Sequence, residues 1–138
     1  MKKITVAVTV DDKMGIAFNK RRQSRDAKVI EDLLSSIDGK IYVSEYSLPL
    51  FDGYLDRVVV VNDALLDTPD GAACFIEARG VSEHNGDIDK LIVYRWNRHY
   101  PSDKKLDIDL ENGSFKMVSE TEFAGKSHDK ITKNTYCK

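Results

Sequence analysis

Residues 4–10 alternate strictly. Ile4, Val6, Val8 and Val10 point one way, and Thr5, Ala7 and Thr9 the other. Period two is the mark of a strand, here with one large apolar face and one face of small residues. After a turn at Asp11–Gly15 and an irregular stretch over 16–23, the period changes. Ile30, Leu33, Leu34 and Ile37 fall at i, i+3, i+4 and i+7, the stripe of an amphipathic helix. Ser24 is placed to cap it, Asp26 suits the first turn, and Gly39 stands just past its end. A strand followed at once by a helix implies a crossover, and so at least one parallel strand pair.

The rest of the chain adds strands. Ile41–Val43 reads as a short one, and Tyr46–Phe51 as a helical turn around Pro49. The unbroken valines of Arg57–Val61 predict a strand buried on both faces. Ala73–Ile76 is a weak strand, and Lys90–Trp96 a strong one. Leu106, Ile108 and Leu110 alternate with Asp107 and Asp109, a strand with one wet face. Asn112-Gly113 is the dipeptide of a tight hairpin, with Phe115–Ser119 as the returning partner. The tail, Ser127–Cys137, reads as a short helix capped by Ser127, with a final strand as the alternative. The sum is an α/β domain over residues 1–138, with a mixed, mostly parallel central sheet, flanking helices and a C-terminal antiparallel hairpin.

Composition excludes several classes. One core fits 138 residues better than two. Twenty-one basic residues nearly balance 23 acidic ones, which argues against non-specific nucleic-acid binding. No apolar run approaches a membrane span of about 20 residues, and the first residues resemble a strand rather than a signal peptide. Cys74 and Cys137 are far apart, which excludes a disulfide scaffold and a thiolate zinc site. A cytoplasmic location is the expectation.

Local charge is more informative than net charge. Asn19-Lys20-Arg21-Arg22-Gln23-Ser24-Arg25 gathers cations and hydrogen-bonding groups just before a helix, where an anion can be held. Arg95, Trp96, Arg98, His99 and Tyr100 form a second cluster, suited to a base, a phosphate or a protein partner. Asp107, Asp109 and Glu111 would share one face of a strand, an oxygen-rich arrangement with nothing further to close a metal shell. His84, His99 and His128 show no metal spacing, and His99 beside Arg98 is the best placed for acid–base work. No metal and no cofactor is expected.

Several segments resemble the dihydrofolate reductase family over nearly the whole chain. Ile4–Ile16 is similar to that family's first strand and glycine-bearing loop, and Asp26 matches the substrate-binding carboxylate that opens its helix. Ile41–Ser44, Ile88–Tyr94 and Leu106–Glu120 resemble later strands. The departures fall on the cofactor. Ser44-Glu45 stands where the family has Gly-Arg for a phosphate, and no Gly-Gly pair follows the fourth strand. The proline-tryptophan of the active-site loop is also missing.

A second resemblance is to short bacterial proteins, typical of anaerobic Firmicutes, that often carry the label ribonuclease Z. Its motifs are N-x-R-R-Q-S-x-D (Asn19–Asp26), W-N-R-x-Y-P-x-D (Trp96–Asp103) and E-F-A-G-x-S-H-x-K-I-T (Glu122–Thr132). The H-x-H-x-D-H metal motif of ribonuclease Z itself does not occur.

The expectation is therefore a reductase-like fold without reductase activity. Its site would join Asn19, Arg21, Arg22, Gln23, Ser24 and Asp26 to Arg95, Trp96, Arg98, His99 and Tyr100 around an anionic or nucleotide-like ligand. The alternatives are a protein-interaction module, such as an immunity or regulatory protein, and an enzyme using Asp26 or His99.

Overall fold

A computed structural model describes residues 2–111 and 113–138. In chain order the elements are β1 (Ile4–Val10), β2 (Gly15–Phe18), β3 (Arg21–Arg22), α1 (Ala27–Ser36), β4 (Ile41–Ser44), β5 (Val58–Val61), α2 (Ala64–Asp67), β6 (Ala73–Phe75), β7 (Ile88–Arg95), β8 (Lys104–Lys105), β9 (Lys116–Phe123) and β10 (Ile131–Cys137). Three 3₁₀ stretches, Glu45–Phe51, Leu55–Arg57 and Ser82–Asp87, connect them.

The main sheet has the order β5-β4-β6-β1-β7-β10-β9. β1 pairs in parallel with β6 and β7, and β4 in parallel with β5 and β6. β10 then inserts antiparallel between β7 and β9. The expected mixed, mostly parallel sheet with a C-terminal antiparallel hairpin is therefore present. β1 is central because both of its faces can be buried. Val6, Val8 and Val10 pack into one core with Leu91, Val93, Leu106 and Tyr136. Ala7 faces the other core, where α1 lays Val29, Ile30, Leu33 and Leu34 against Ile92, Tyr94 and Trp96. Each of the four helix side chains stabilises by about 1.5–3 kcal/mol before chain entropy is subtracted.

The helix is capped two residues later than the sequence suggests. Asp26 is the N-cap, with extended φ −154° and ψ 125°, and its carboxylate accepts from Lys28 N. Both Ser24 and Asp26 are good capping types; Ser24 is instead committed to a contact with the far end of the chain. At the other end, the Arg57 guanidinium donates to the carbonyls of Leu34, Ile37 and Gly39, occupying acceptors that a helix terminus leaves open.

Four expectations are corrected. The valines of β5 are only half-buried, and Val60 is exposed, because β5 is an edge strand. Leu106–Leu110 forms no strand: Leu106 and Ile108 still bury themselves, but from irregular backbone. Asp107, Asp109 and Glu111 therefore share no strand face, and among the described residues no cluster could hold a metal ion. Residues 127–137 are not a helix. Ile131–Cys137 is a strand with alternating burial, held by ladders on both sides. The Asn112-Gly113 turn falls at Asn112 outside the described residues, and the closing hairpin joins β9 and β10, one element later than expected.

Candidate functional site

Asp26 leaves the mouth of α1 and points at the loop before β10. Its Oδ1 accepts from Lys28 N at 2.9 Å and Lys126 N at 3.0 Å. Its Oδ2 accepts from Ser127 N at 2.9 Å and Ser127 Oγ at 3.2 Å, and meets His128 Nδ1 at 3.0 Å. Both side chains are almost wholly removed from solvent. Burial pushes the carboxyl upward, but the N–H groups of Lys126, Lys28 and Ser127 and the imidazole outweigh it and hold Asp26 well below the carboxylate range. Gly125 permits this approach. A Cβ there would run into Asp26 Oδ2 and lie 2.9 Å from the His128 carbonyl.

The imidazole is gripped on every side. The Trp96 ring stacks on it at 4.5 Å between centroids and 20° between planes, and Tyr100 meets it edge-on. His128 Nε2 faces two hydroxyls, Tyr100 Oη at 2.8 Å and Ser24 Oγ at 3.2 Å. Those hydroxyls are 3.3 Å apart. Ser24 is held by its neighbours in sequence. Gln23 Nε2 donates to Asp11 Oδ2 and to the Pro101 carbonyl, and Arg22 forms a two-pronged ion pair with Glu77 while stacking over Tyr46.

Ser24, Asp26 and Ser127 open onto a cavity of about 420 Å³. Val29, Ile30, Leu50, Phe75 and Trp96 form its apolar walls. Arg25, Asp52, Tyr54 and Glu77 also border it. Among the described residues the Arg25 guanidinium has no ion-pair partner, whereas Glu77 is engaged by Arg22 and Ser47.

The two sequence clusters meet only in part. Ser24, Asp26, Trp96 and Tyr100 come together around His128. Asn19 N reaches Asp103 instead, and Arg21 is exposed in β3. Arg95 lies on the opposite face of the sheet, donating to Asn134 and lining a second cavity with Leu106 and Tyr136. Arg98 and His99 are exposed, so His99 is not the histidine of this site. Trp96 is buried, which removes it from any partner surface. Sequence reasoning missed His128, Ser127 and Gly125. The signal was present: all three belong to E-F-A-G-x-S-H-x-K-I-T, and the three motifs of the second resemblance converge here.

No protein-family model matches the chain, and no curated protein is significantly similar to it. Solved structures are. A dihydrofolate reductase from Enterococcus faecalis, complexed with NADP(H) and RAB-propyl, matches with a TM-score of 0.63 over 97% of this chain and 95% of that chain, at 10% sequence identity. The chain has a dihydrofolate reductase-like fold. The reductase-like scaffold raises the question of a nicotinamide cofactor, and two places answer it. Glu45, an acid, opens the 3₁₀ stretch after β4 where the resemblance expects a phosphate-binding arginine. After β6, where the pyrophosphate would approach, Asp107 already takes the donors: Val81 N at 2.9 Å, Ser82 N at 3.3 Å and Ser82 Oγ at 2.8 Å. A Cβ on Gly80 would sit 2.6 Å from the same carboxylate. A second anion there would face the Asp107 carboxylate and find these three donors already taken, so the Asp107 loop does not fit a pyrophosphate.

Proposed function

We propose that this protein binds a small, nucleotide-like molecule in the cavity beside α1 and does not act as a nicotinamide-dependent reductase. One observation carries the reading: a cavity of about 420 Å³ with one apolar wall has Arg25, which lacks an ion-pair partner among the described residues, in its lining. Such a space suits a flat ring between Phe75, Ile30 and Trp96, with an anionic group at Arg25. The other arginines predicted for the ligand do not compete. Arg22 is spent on Glu77, and Arg95 is on the far face.

The test is a thermal-shift panel of nucleoside mono-, di- and triphosphates. A ligand present at about 100 times its Kd adds roughly 2.7 kcal/mol of stability, a readily measured rise in melting temperature. Arg25→Glu should abolish the shift while leaving the unliganded melting temperature in place. No shift from any nucleotide overturns the reading.

One further observation favours a protein partner. β9 is an edge strand that is exposed along nearly its whole length, with Met117 48% and Val118 60% exposed. Open edges recruit added strands. Capture of a stoichiometric partner that Val118→Lys abolishes would support this module reading, and a protein that stays alone in source lysate would remove it.

A further inference from the structure

We propose that Ser24 is an activated nucleophile, and that the molecule held in the cavity carries an ester or other reactive acyl group on which Ser24 acts. This rests on the cavity being a ligand site. The geometry supplies the remainder. His128 Nδ1 faces the Asp26 carboxylate, which accepts hydrogen bonds and donates none, so Nδ1 carries the ring proton. Nε2 is then the acceptor, and it lies 3.2 Å from Ser24 Oγ. Nucleophile, base and orienting carboxylate stand in the order that serine hydrolases use on unrelated folds. The base cannot swing away, because Trp96 covers one face of the imidazole and Tyr100 its edge. Ser24 and Asp26 border the cavity, while the imidazole of His128 is buried behind it. Arg25, the residue after Ser24, borders the same cavity.

The reaction balances with water as the only co-reactant. Ser24 Oγ forms a bond to the acyl carbon as its proton passes to His128 Nε2. The carbon–oxygen bond to the leaving alcohol breaks, and the imidazolium returns the proton to that oxygen. Water then attacks the acyl-serine, giving its proton to Nε2, and the acid departs as Ser24 regains its hydrogen. Tyr100 Oη, 2.8 Å from Nε2, shares the acceptor with Ser24. It is a positioning residue, and Tyr100→Phe leaves Nε2 to Ser24 alone.

The experiment needs no knowledge of the substrate. Full-length protein is treated with a fluorophosphonate probe and labelling is located by peptide mass. Label is expected on Ser24, and at least tenfold slower in His128→Gln. In parallel, Ser24→Cys is made with Cys137→Ser, and iodoacetamide alkylation is followed from pH 5 to 9. A thiol paired with His128 reacts well below the ordinary thiol midpoint of about 8.5. This second arm reads correctly even if His128→Gln fails to fold. An unlabelled Ser24 together with an ordinary thiol profile overturns the inference. The nucleotide thermal shifts are repeated on Ser24→Ala to separate the two readings. Shifts retained without labelling sink the nucleophile and leave ligand binding, whereas His128-dependent labelling without shifts supports the nucleophile and sinks the nucleotide reading.

Discussion

Asp26 and Asp107 solve the same local problem in two parts of the molecule, and only one of them forms part of a candidate site. Each carboxylate accepts from two or more backbone N–H groups and from a serine hydroxyl. Each is held below the ordinary carboxylate range, because those donors outweigh the upward push of burial. Each also sits against a glycine that has no room for a Cβ. The difference is what stands behind them. Asp26 is sealed from water and backed by His128, which leads through Nε2 to a hydroxyl on a cavity. Asp107 belongs to an exposed residue and ties one loop to another. Caging N–H groups with a carboxylate is thus a structural device in this fold, and the imidazole is what gives one cage a chemical outlet.

The comparison can be broken most directly at Asp26. Asp26→Ala strands five donors, one of them a buried histidine, and should cost about 3–5 kcal/mol in urea denaturation. The same loss is expected on acidification. A carboxyl whose folded pKa is depressed contributes stability that is fully present above its unfolded value near 4 and is lost as pH falls through the folded value. Urea midpoints measured downward from pH 6 should therefore fall below about pH 4, and more steeply in wild type than in Asp26→Ala. Gly125→Ala should come next, at about 1–3 kcal/mol, because the new methyl displaces the carboxylate it meets. Its effect should extend to the reactivity at position 24, since Asp26 orients His128.

Asp107→Asn should cost only about 1 kcal/mol, since solvent screens an exposed carboxylate. The alkylation profile of Ser24→Cys should not move at all in that background. A change there would show that the two cages are coupled. The smallest effect is a control. Burial pushes the Cys74 thiol up to about 12, so it should resist alkylation in the folded protein at pH 8 while the partly exposed Cys137 reacts.

Much of the scaffold was legible because its signals are local. The alternation of β1, the stripe of α1 and the apolar run of β7 each fit within a dozen residues, and each element formed where expected. The tail misled for the opposite reason. Ser127 followed by a polar, threonine-rich segment carries a capping signal, but Ile131–Cys137 lies between two strands whose ladders decide its state. β5 misled similarly: four valines describe a strand, but not whether it lies inside the sheet or at its edge. At the site, Ser24, Asp26, Trp96 and Tyr100 stood out by type and position. Their hub did not, because His128 is 102 residues from Asp26 and looks like any isolated histidine.

The sequence by itself determined a central alternating strand, a crossover helix and a mixed sheet, because hydrophobic periodicity is written residue by residue. It also concentrated polar chemistry at Ser24–Asp26 and Trp96–Tyr100. The tertiary structure decided which of those groups meet. At the end of β7 it sent Arg95 and the next residue, Trp96, to opposite faces of the sheet, continuing the alternation of the strand. It brought Gly125–His128 back across the mouth of α1, where the buried Asp26 charge required donors and found them in that returning loop.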